Sequence, residues 1–285
     1  MFSSIRSILV WFTTWVVLVS SNHIVIPNAG AQPFAEKSDI PESAAMQLEK
    51  FLSFEDQKLP FHIQGWRWHL LSLQRDSARL SEFAVKMGPS IHRKDGSTSL
   101  KKAVEHVLFN FKALQRIENQ TFFPWMREKL MNKKLVGDAT GAFSVVLDSL
   151  DKERQKVSEL ASMIRNEVEL VENNGVGKLV DLSKEMAHVT KSIQEKQDRF
   201  IVPALSKVVS SKEQKAFNNK VLRKLGLLES RIHLVGMHDA VHDNRFGNDV
   251  EKQNFEAEIP SVAKMMINRW RRTLYQPQAG MLDEF

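Results

Sequence analysis

The chain has no cysteine among its 285 residues. This absence excludes disulfides, iron–sulfur clusters, thiolate zinc sites and cysteine nucleophiles. A chain without such cross-links or clusters is stabilised by its core alone. We therefore expect a substantial helical or sheet domain and not a small disulfide-stapled fold.

Motifs that mark common enzyme classes are also missing. No stretch matches a phosphate-binding loop, a dinucleotide-binding glycine turn, a Gly-x-Ser-x-Gly nucleophile elbow or a His-Glu-x-x-His zinc helix. The stretch GVGK at Gly175–Lys178 lacks the length and the preceding strand of a phosphate loop, so we interpret it as a connection between helices. The sequence thus predicts no enzyme activity.

Positive charge is in modest excess, with a formal net charge of +6. Lysines and acids are interspersed, and the densest basic stretches, Arg127–Lys134 and Arg269–Arg272, are short. Such stretches are typical of solvated helix faces. We expect no nucleic-acid partner, and a protein partner stays open.

The N-terminus carries the one long apolar run. Met1–Ser7 has one arginine and no acid, Ile8–Val19 is largely apolar, and Ala29–Ala31 offers a small-residue cleavage site. Because the run is shorter than the roughly 20 residues of a comfortable membrane span, residues 1–31 are predicted to be a signal peptide for the secretory pathway. An uncleaved membrane anchor over residues 8–27 and a plastid address remain alternatives.

Apolar residues at steps of three and four predict helices through nearly all of the remaining chain. We expect Gly88-Pro89 to end the first helix, and Pro124 to kink or end the second. No stretch shows sustained strand alternation. The predicted helices are Phe54–Met87, Ser99 (an N-cap candidate) to Met131, Ala142–Val171, Lys178–Val209, Lys212–Val241 and Pro260–Leu274, followed by a polar tail.

The predicted fold class is all-α, an antiparallel up-down four-helix bundle over residues 54–215. A flexible linker over residues 32–53 precedes it, and residues 216–285 add one or two helices. Trp66 and Trp68 point to opposite sides of the first helix, so we expect at most one of them in the core. The other would be a contact for a partner.

Two helices of this chain end alike. LQRIENQTFFPW from Leu114 and IQEKQDRFIVPA from Ile193 align on Pro124 and Pro203, 79 positions apart. In both, two apolar residues precede the proline and a carboxylate lies five or six residues before it. These endings resemble those of the hemerythrin-type cation-binding domain, over about Leu59–Lys215. The resemblance implies an up-down four-helix bundle that holds two irons between histidines and carboxylates.

The resemblance implies metal ligands at Glu118, at Asp198 and, on the first helix, at His69. The stretch Leu150–Lys156 of the third helix, where a histidine would be expected, has none. Glutamine ligates only weakly through its oxygen and cannot replace imidazole. We interpret the three residues as remnants of a site. We expect no cofactor, and non-haem iron is the alternative. The family's remaining histidine positions fall on Leu114, Gln115, Ile193 and Gln194.

A second histidine group lies outside that resemblance, in HLVGMHDAVHD at His233–Asp243. His238 and His242 are four residues apart, so they share a helix face and suit a divalent metal. A solvent-exposed helix end or a partner-binding face would give the same pattern. Two further pairs at helical spacing, His106 with Asn110 and His188 with Glu195, allow a displaced metal site but are more simply capped or surface residues.

Two functional hypotheses follow. The first is a cation-binding or iron-handling protein of hemerythrin type, and the second is a non-catalytic bundle that binds a partner or serves a structural role without metal. They differ in the surroundings of Glu118. Convergence with His69 and a third donor would favour metal, whereas an ion pair with Arg75, Lys112 or Arg116 would favour a structural role.

Overall fold

The computed structural model describes residues 40–53 and 61–283, and these residues form helices and no strand. The all-α prediction is therefore confirmed. The predicted signal peptide or anchor lies outside the described residues. The main helices are α1 (Glu42–Ser53), α2 (Gln64–Met87), α3 (Lys94–Ile117), α4 (Phe123–Leu130), α5 (Thr140–Val168), α6 (Gly177–Lys196), α7 (Val202–Val208), α8 (Ser211–Leu225), α9 (Leu227–His242), α10 (Asp249–Glu258), α11 (Ser261–Trp270) and α12 (Gln276–Asp283).

Helix α2 lies at the centre of the fold, and from Gln64 to Ser81 all its residues are buried or half-buried. It packs against α3 and α6, and on its other face against α9 and α12. Trp66 belongs to the larger apolar cluster, and Trp68 to a second cluster formed with the C-terminal helices. The expectation that at most one of them is in the core is wrong, because a second layer of helices covers the face that carries Trp68.

Four long helices enclose the larger apolar core. Helix α2 packs on α3 and α6, and α5 packs on the same two helices from the opposite side. Phe122 of the turn after α3 stacks on Trp66, with ring centroids 3.8 Å apart, and is fully buried. The core therefore extends to the end of α3 at which Glu118 lies.

The repeated proline endings are π-helical turns, at Glu118–Phe122 and Gln197–Ile201. A proline has no N–H to give to the carbonyl four residues back, and its ring clashes with that carbonyl. In both endings the residue before the proline donates instead to the carbonyl five residues back, at Glu118 and Gln197. The wider turn lets the helix continue past the proline, so Pro124 does not end it.

The chain contains a third ending of this kind, which we did not predict from the sequence. Residues Arg271–Tyr275 form a π-turn, and α12 follows with Pro277 in its second position. Again the residue before the proline, Gln276, donates to the carbonyl five residues back, at Arg271. A π-turn before a proline thus occurs three times in the described residues, and one of the three lies outside the region of the resemblance.

Several predicted boundaries need correction. Helix α3 begins at Lys94 and not at an N-cap Ser99. The predicted fifth helix is broken at Gly226, whose φ of 77° lies in the left-handed region that favours glycine. Helix α10 was not predicted, and the predicted polar tail contains α12, where Leu282 is buried.

The segment from residue 42 to residue 53 is not a linker. It forms α1, which packs on α5 and buries Leu48 completely. The residues after 215 also pack closely on the rest of the fold, since α9 and α12 both contact α2. In the described part of the chain, no helix combines the length and the apolar character that a membrane crossing requires.

Candidate functional site

Glu118 is the first residue of the π-turn after α3 and is buried, with 5% of its surface exposed. Its Oε1 accepts a hydrogen bond from the indole Nε1 of Trp66 at 3.1 Å. Its Oε2 accepts one from Nε of Arg154 at 3.1 Å. Burial raises the pKa of Glu118, although Arg154 and the Trp66 hydrogen bond act in the opposite direction.

Arg154 is held in place from several directions. Its Nη1 donates to Asp151 Oδ1 at 3.0 Å, its Nη2 donates to Asn119, and its guanidinium carbon lies 3.5 Å from the ring centroid of Phe123. The side chain is 13% exposed. These contacts fix the planar guanidinium in place, and its positive charge lies beside the Glu118 carboxylate.

Sequence reasoning missed Arg154. Two of the partners that we considered for Glu118 pair elsewhere: Arg75 with Asp76 and Asp283, and Arg116 with Glu229. The third, Lys112, is exposed. Arg154 lies within Leu150–Lys156, the stretch where the resemblance implies a histidine. Its position in that stretch was the available signal, because a side chain that reaches Glu118 must come from the same level of a neighbouring helix.

His69 belongs to a different buried group, with Asn110 and Asp76. The amide nitrogen of Asn110 donates to Asp76 Oδ2 at 2.9 Å and to Ser72 Oγ at 3.1 Å. The Asn110 oxygen therefore faces His69 and accepts from its Nε2 at 2.6 Å. Burial lowers the pKa of His69 to about 4, so the ring is neutral at neutral pH. The ring also packs on His233, with centroids 4.6 Å apart.

Asp198, in the second π-turn, pairs with Arg67 of α2. The guanidinium donates through Nε and Nη2 to the two carboxylate oxygens, at 2.7 and 2.9 Å. Nη2 also lies 3.0 Å from Glu251 of α10, whose other oxygen accepts from Trp68 at 2.9 Å. Arg67 thus ties both the second π-turn and α10 to the central helix.

His69, Glu118 and Asp198, the three predicted remnants of a metal site, each have their own set of partners. Within residues 40–53 and 61–283, the only group of three His, Asp or Glu side chains with ligand atoms within 4.8 Å of one another is His238, His242 and Glu256. Sequence reasoning identified the two histidines but not Glu256, because it did not predict α10.

A cleft of about 330 Å³ opens beside the Glu118–Arg154 pair, between α2, α3, α5 and α6. Gln115 lies on its wall and donates to Ser158 Oγ at 3.2 Å. Leu114, Gln115 and Ile193, at which the resemblance would place histidines, all line the cleft. Its apolar lining is Leu70, Leu73, Phe111, Leu114, Val157 and Ile193.

Comparison of the chain with protein-family models, with curated proteins and with solved structures finds no match.

Proposed function

We propose that this protein is a non-catalytic binding protein whose helices α2, α3, α5 and α6 form a four-helix bundle of hemerythrin type, with an arginine in place of iron. Its ligand would be a small molecule with an apolar body and an uncharged, hydrogen-bonding end. The observation that carries the proposal is the cleft beside the Glu118–Arg154 ion pair.

The ion pair supports the absence of iron in this position. A buried carboxylate requires a metal, a cation or a hydrogen-bond network to compensate for its lost hydration. Glu118 has two such partners in Arg154 and Trp66. Arg154 offers no lone pair to a metal, and its fixed positive charge beside Glu118 would repel one.

The lining of the cleft supports the ligand class. Six apolar side chains face the space, as is usual for small-molecule sites. The charged groups of the wall already pair with one another: Glu118 and Asp151 with Arg154, and Asp151 also with Arg127. A charged ligand would have to displace one of these pairs. The neutral side chains of Gln115 and Ser158 are better suited to bind the polar end of an uncharged ligand.

The proposal is tested with N-phenyl-1-naphthylamine, an uncharged apolar probe that fluoresces when it leaves water. We expect the full-length chain to bind it, and Leu114→Trp to weaken binding at least about tenfold because the indole fills the cleft. Lys112→Trp is the matched control, since Lys112 is an exposed residue of the same helix. Equal binding by both variants, or no binding by the natural chain, would contradict the proposed cleft.

A further inference from the structure

A group of side chains of metal-binding type lies between the C-terminal turns of α9 and α10, away from the Glu118 cleft. His238 and His242 stand one helical turn apart, with ring centroids 4.1 Å apart and ring planes within 18° of parallel. Glu256 of α10 faces them, and its Oε1 lies 3.8 Å from His242 Nε2. Beneath the two rings lies Phe255, which is fully buried and fixes the position of α10.

The hydrogen bonds of His242 fix which of its ring nitrogens is free, and those of His238 allow the same tautomer. His242 Nδ1 lies 2.8 Å from the carbonyl oxygen of His238. A carbonyl only accepts, so Nδ1 carries the proton and donates it. His238 Nδ1 lies 2.9 Å from Asp239 Oδ1, and a carboxylate likewise accepts. In neutral His242 the lone pair is then on Nε2, and in His238 it is on Nε2 when Nδ1 donates to Asp239.

This arrangement is typical of metal-ligating histidines. Such residues usually donate their second ring nitrogen to a carboxylate or a backbone carbonyl, which orients the ring and raises its basicity. Here His238 has the carboxylate and His242 the carbonyl. Each histidine therefore has beside its Nδ1 an acceptor of the kind that orients metal ligands, which is a stronger observation than their i, i+4 spacing.

Two cations lie near the group. Arg271 pairs with Asp239, and its Nη2 is 3.0 Å from His238 Nδ1. A metal on Nε2 selects the tautomer that donates to Asp239, and Arg271 then pairs with Asp239 alone. Lys264 lies 3.3 Å from Oε2 of Glu256, on the oxygen that does not face His242. Both cations contact atoms other than the three proposed ligand atoms.

We propose that His238 Nε2, His242 Nε2 and the Glu256 carboxylate bind a divalent cation of the zinc class. Two imidazoles and a carboxylate are a donor set that zinc accepts, and three protein ligands leave a fourth position for water or an exogenous ligand. The partial exposure of the group, 34% for His242 and 49% for Glu256, keeps that position accessible. This site is independent of the function proposed for the cleft.

Zinc binding requires only a small closure of the group. Zn–N bonds of about 2.0–2.1 Å in a tetrahedron place ligand atoms roughly 3.3 Å apart. Here one possible ligand atom of each residue lies within 4.8 Å of the other two, and His242 Nε2 is 3.8 Å from Glu256 Oε1. Glu256 is half exposed and can supply the movement by a change of rotamer. The bound metal would then join α9 to α10 directly.

The test uses Zn²⁺ and Co²⁺ on the full-length chain after removal of metal with a chelator. We expect one Zn²⁺ per chain with micromolar or tighter affinity, displacement of Co²⁺ by Zn²⁺, and visible Co²⁺ absorption bands of a four-coordinate site. His238→Gln with His242→Gln should abolish binding. Glu256→Gln, a surface change with little effect on folding, should weaken it about 10- to 100-fold.

His92→Gln is the matched control, because His92 is an exposed histidine outside the group. Its binding constant should equal that of the natural chain. Absence of Zn²⁺ binding by the natural chain, or equal binding by the double histidine variant and the His92 variant, would overturn the proposal. Probe binding in the Glu118 cleft should be the same for all these variants, so failure of one proposal is distinguishable from failure of the other.

Discussion

Arg154 of α5 donates its Nε hydrogen to Oε2 of Glu118 at 3.1 Å, inside the core and at the level of a π-turn. The other oxygen of Glu118 is bound by Trp66 of α2. Glu118 thus links three helices: it follows α3 directly in the chain, and its carboxylate accepts hydrogen bonds from α2 and α5. In our account this ion pair does for the carboxylate what a metal would otherwise do.

Removal of the arginine alone should be costly. Arg154→Leu leaves Glu118 buried without its cation, and we expect the free energy of unfolding to fall by about 3–5 kcal/mol. The double variant Arg154→Leu/Glu118→Gln should recover at least half of that loss, because the neutral amide still accepts from Trp66. Urea unfolding measures both values.

The control for this pair is Lys156→Met, two residues further along the same helix. Lys156 pairs with Glu185 on the surface, where the two side chains are 51% and 41% exposed. Exposed pairs contribute about 0–1 kcal/mol. If Arg154→Leu cost no more than Lys156→Met, the pair at Glu118 would have no special role in the core.

His69 makes stability depend on pH in a defined direction. Its pKa is lowered by burial to about 4 in the folded chain, against about 6.5 in the unfolded chain. The unfolded chain therefore takes up a proton first as the pH falls, and stability is lost between pH 6.5 and pH 4. One such group accounts for on the order of 3 kcal/mol over that range.

We expect His69→Gln to flatten the fall in stability between pH 6.5 and pH 4, because glutamine still donates to Asn110 but takes up no proton. Urea unfolding at half-unit steps of pH measures the slope. His92→Gln should leave the slope unchanged, since His92 is exposed. An unchanged slope in His69→Gln would mean that the imidazole titrates normally in the folded chain.

The second layer of helices should be as important to Trp68 as the first is to Trp66. Trp68 is 3% exposed and packs on Phe255, with ring centroids 4.8 Å apart. We expect Trp68→Ala to lower the free energy of unfolding by about 3–5 kcal/mol. Met265→Ala, at a residue that is 81% exposed, should change it by less than about 0.5 kcal/mol. A small effect of Trp68→Ala would mean that the residues after 215 do not cover α2.

The approach of α9 to α2 depends on Gly236. A Cβ at this position would lie 2.8 Å from Ser72 Oγ and 3.4 Å from the Tyr275 ring. We expect Gly236→Ala to destabilise the fold by about 1–3 kcal/mol through overpacking. Gly141→Ala in α5 is the control: no atom lies within 4 Å of its added Cβ, so this helical change should be neutral or stabilising by about 0.5–1 kcal/mol. Calorimetric melting separates the two outcomes.

Helix positions could be predicted from the sequence because their apolar residues recur with a period near 3.6. The period does not say how many layers cover a helix, so the burial of both Trp66 and Trp68 was missed. The period also cannot show that a helix will continue past a proline by forming a π-turn before it. That outcome depends on packing: Phe122 and Phe200, one in each of the two π-turns, are both buried in the core.

For the candidate sites, the sequence indicated residues but not their partners. Glu118 and the pair His238 and His242 stood out by residue type and spacing. Arg154 and Glu256 did not, because each comes from another helix and its proximity depends on how the helices pack. A single sequence contains little information about long-range pairs of this kind.

We propose that an ion pair stands where the resemblance implies iron, and reconstitution of the chain with iron is the sharpest test of this proposal. The full-length His238→Gln/His242→Gln chain is loaded with Fe²⁺ in air, desalted, and examined by elemental mass spectrometry and absorption. We expect less than one iron per chain and no oxo-bridge band. Two irons per chain with such a band would contradict the proposal and restore the iron-handling hypothesis.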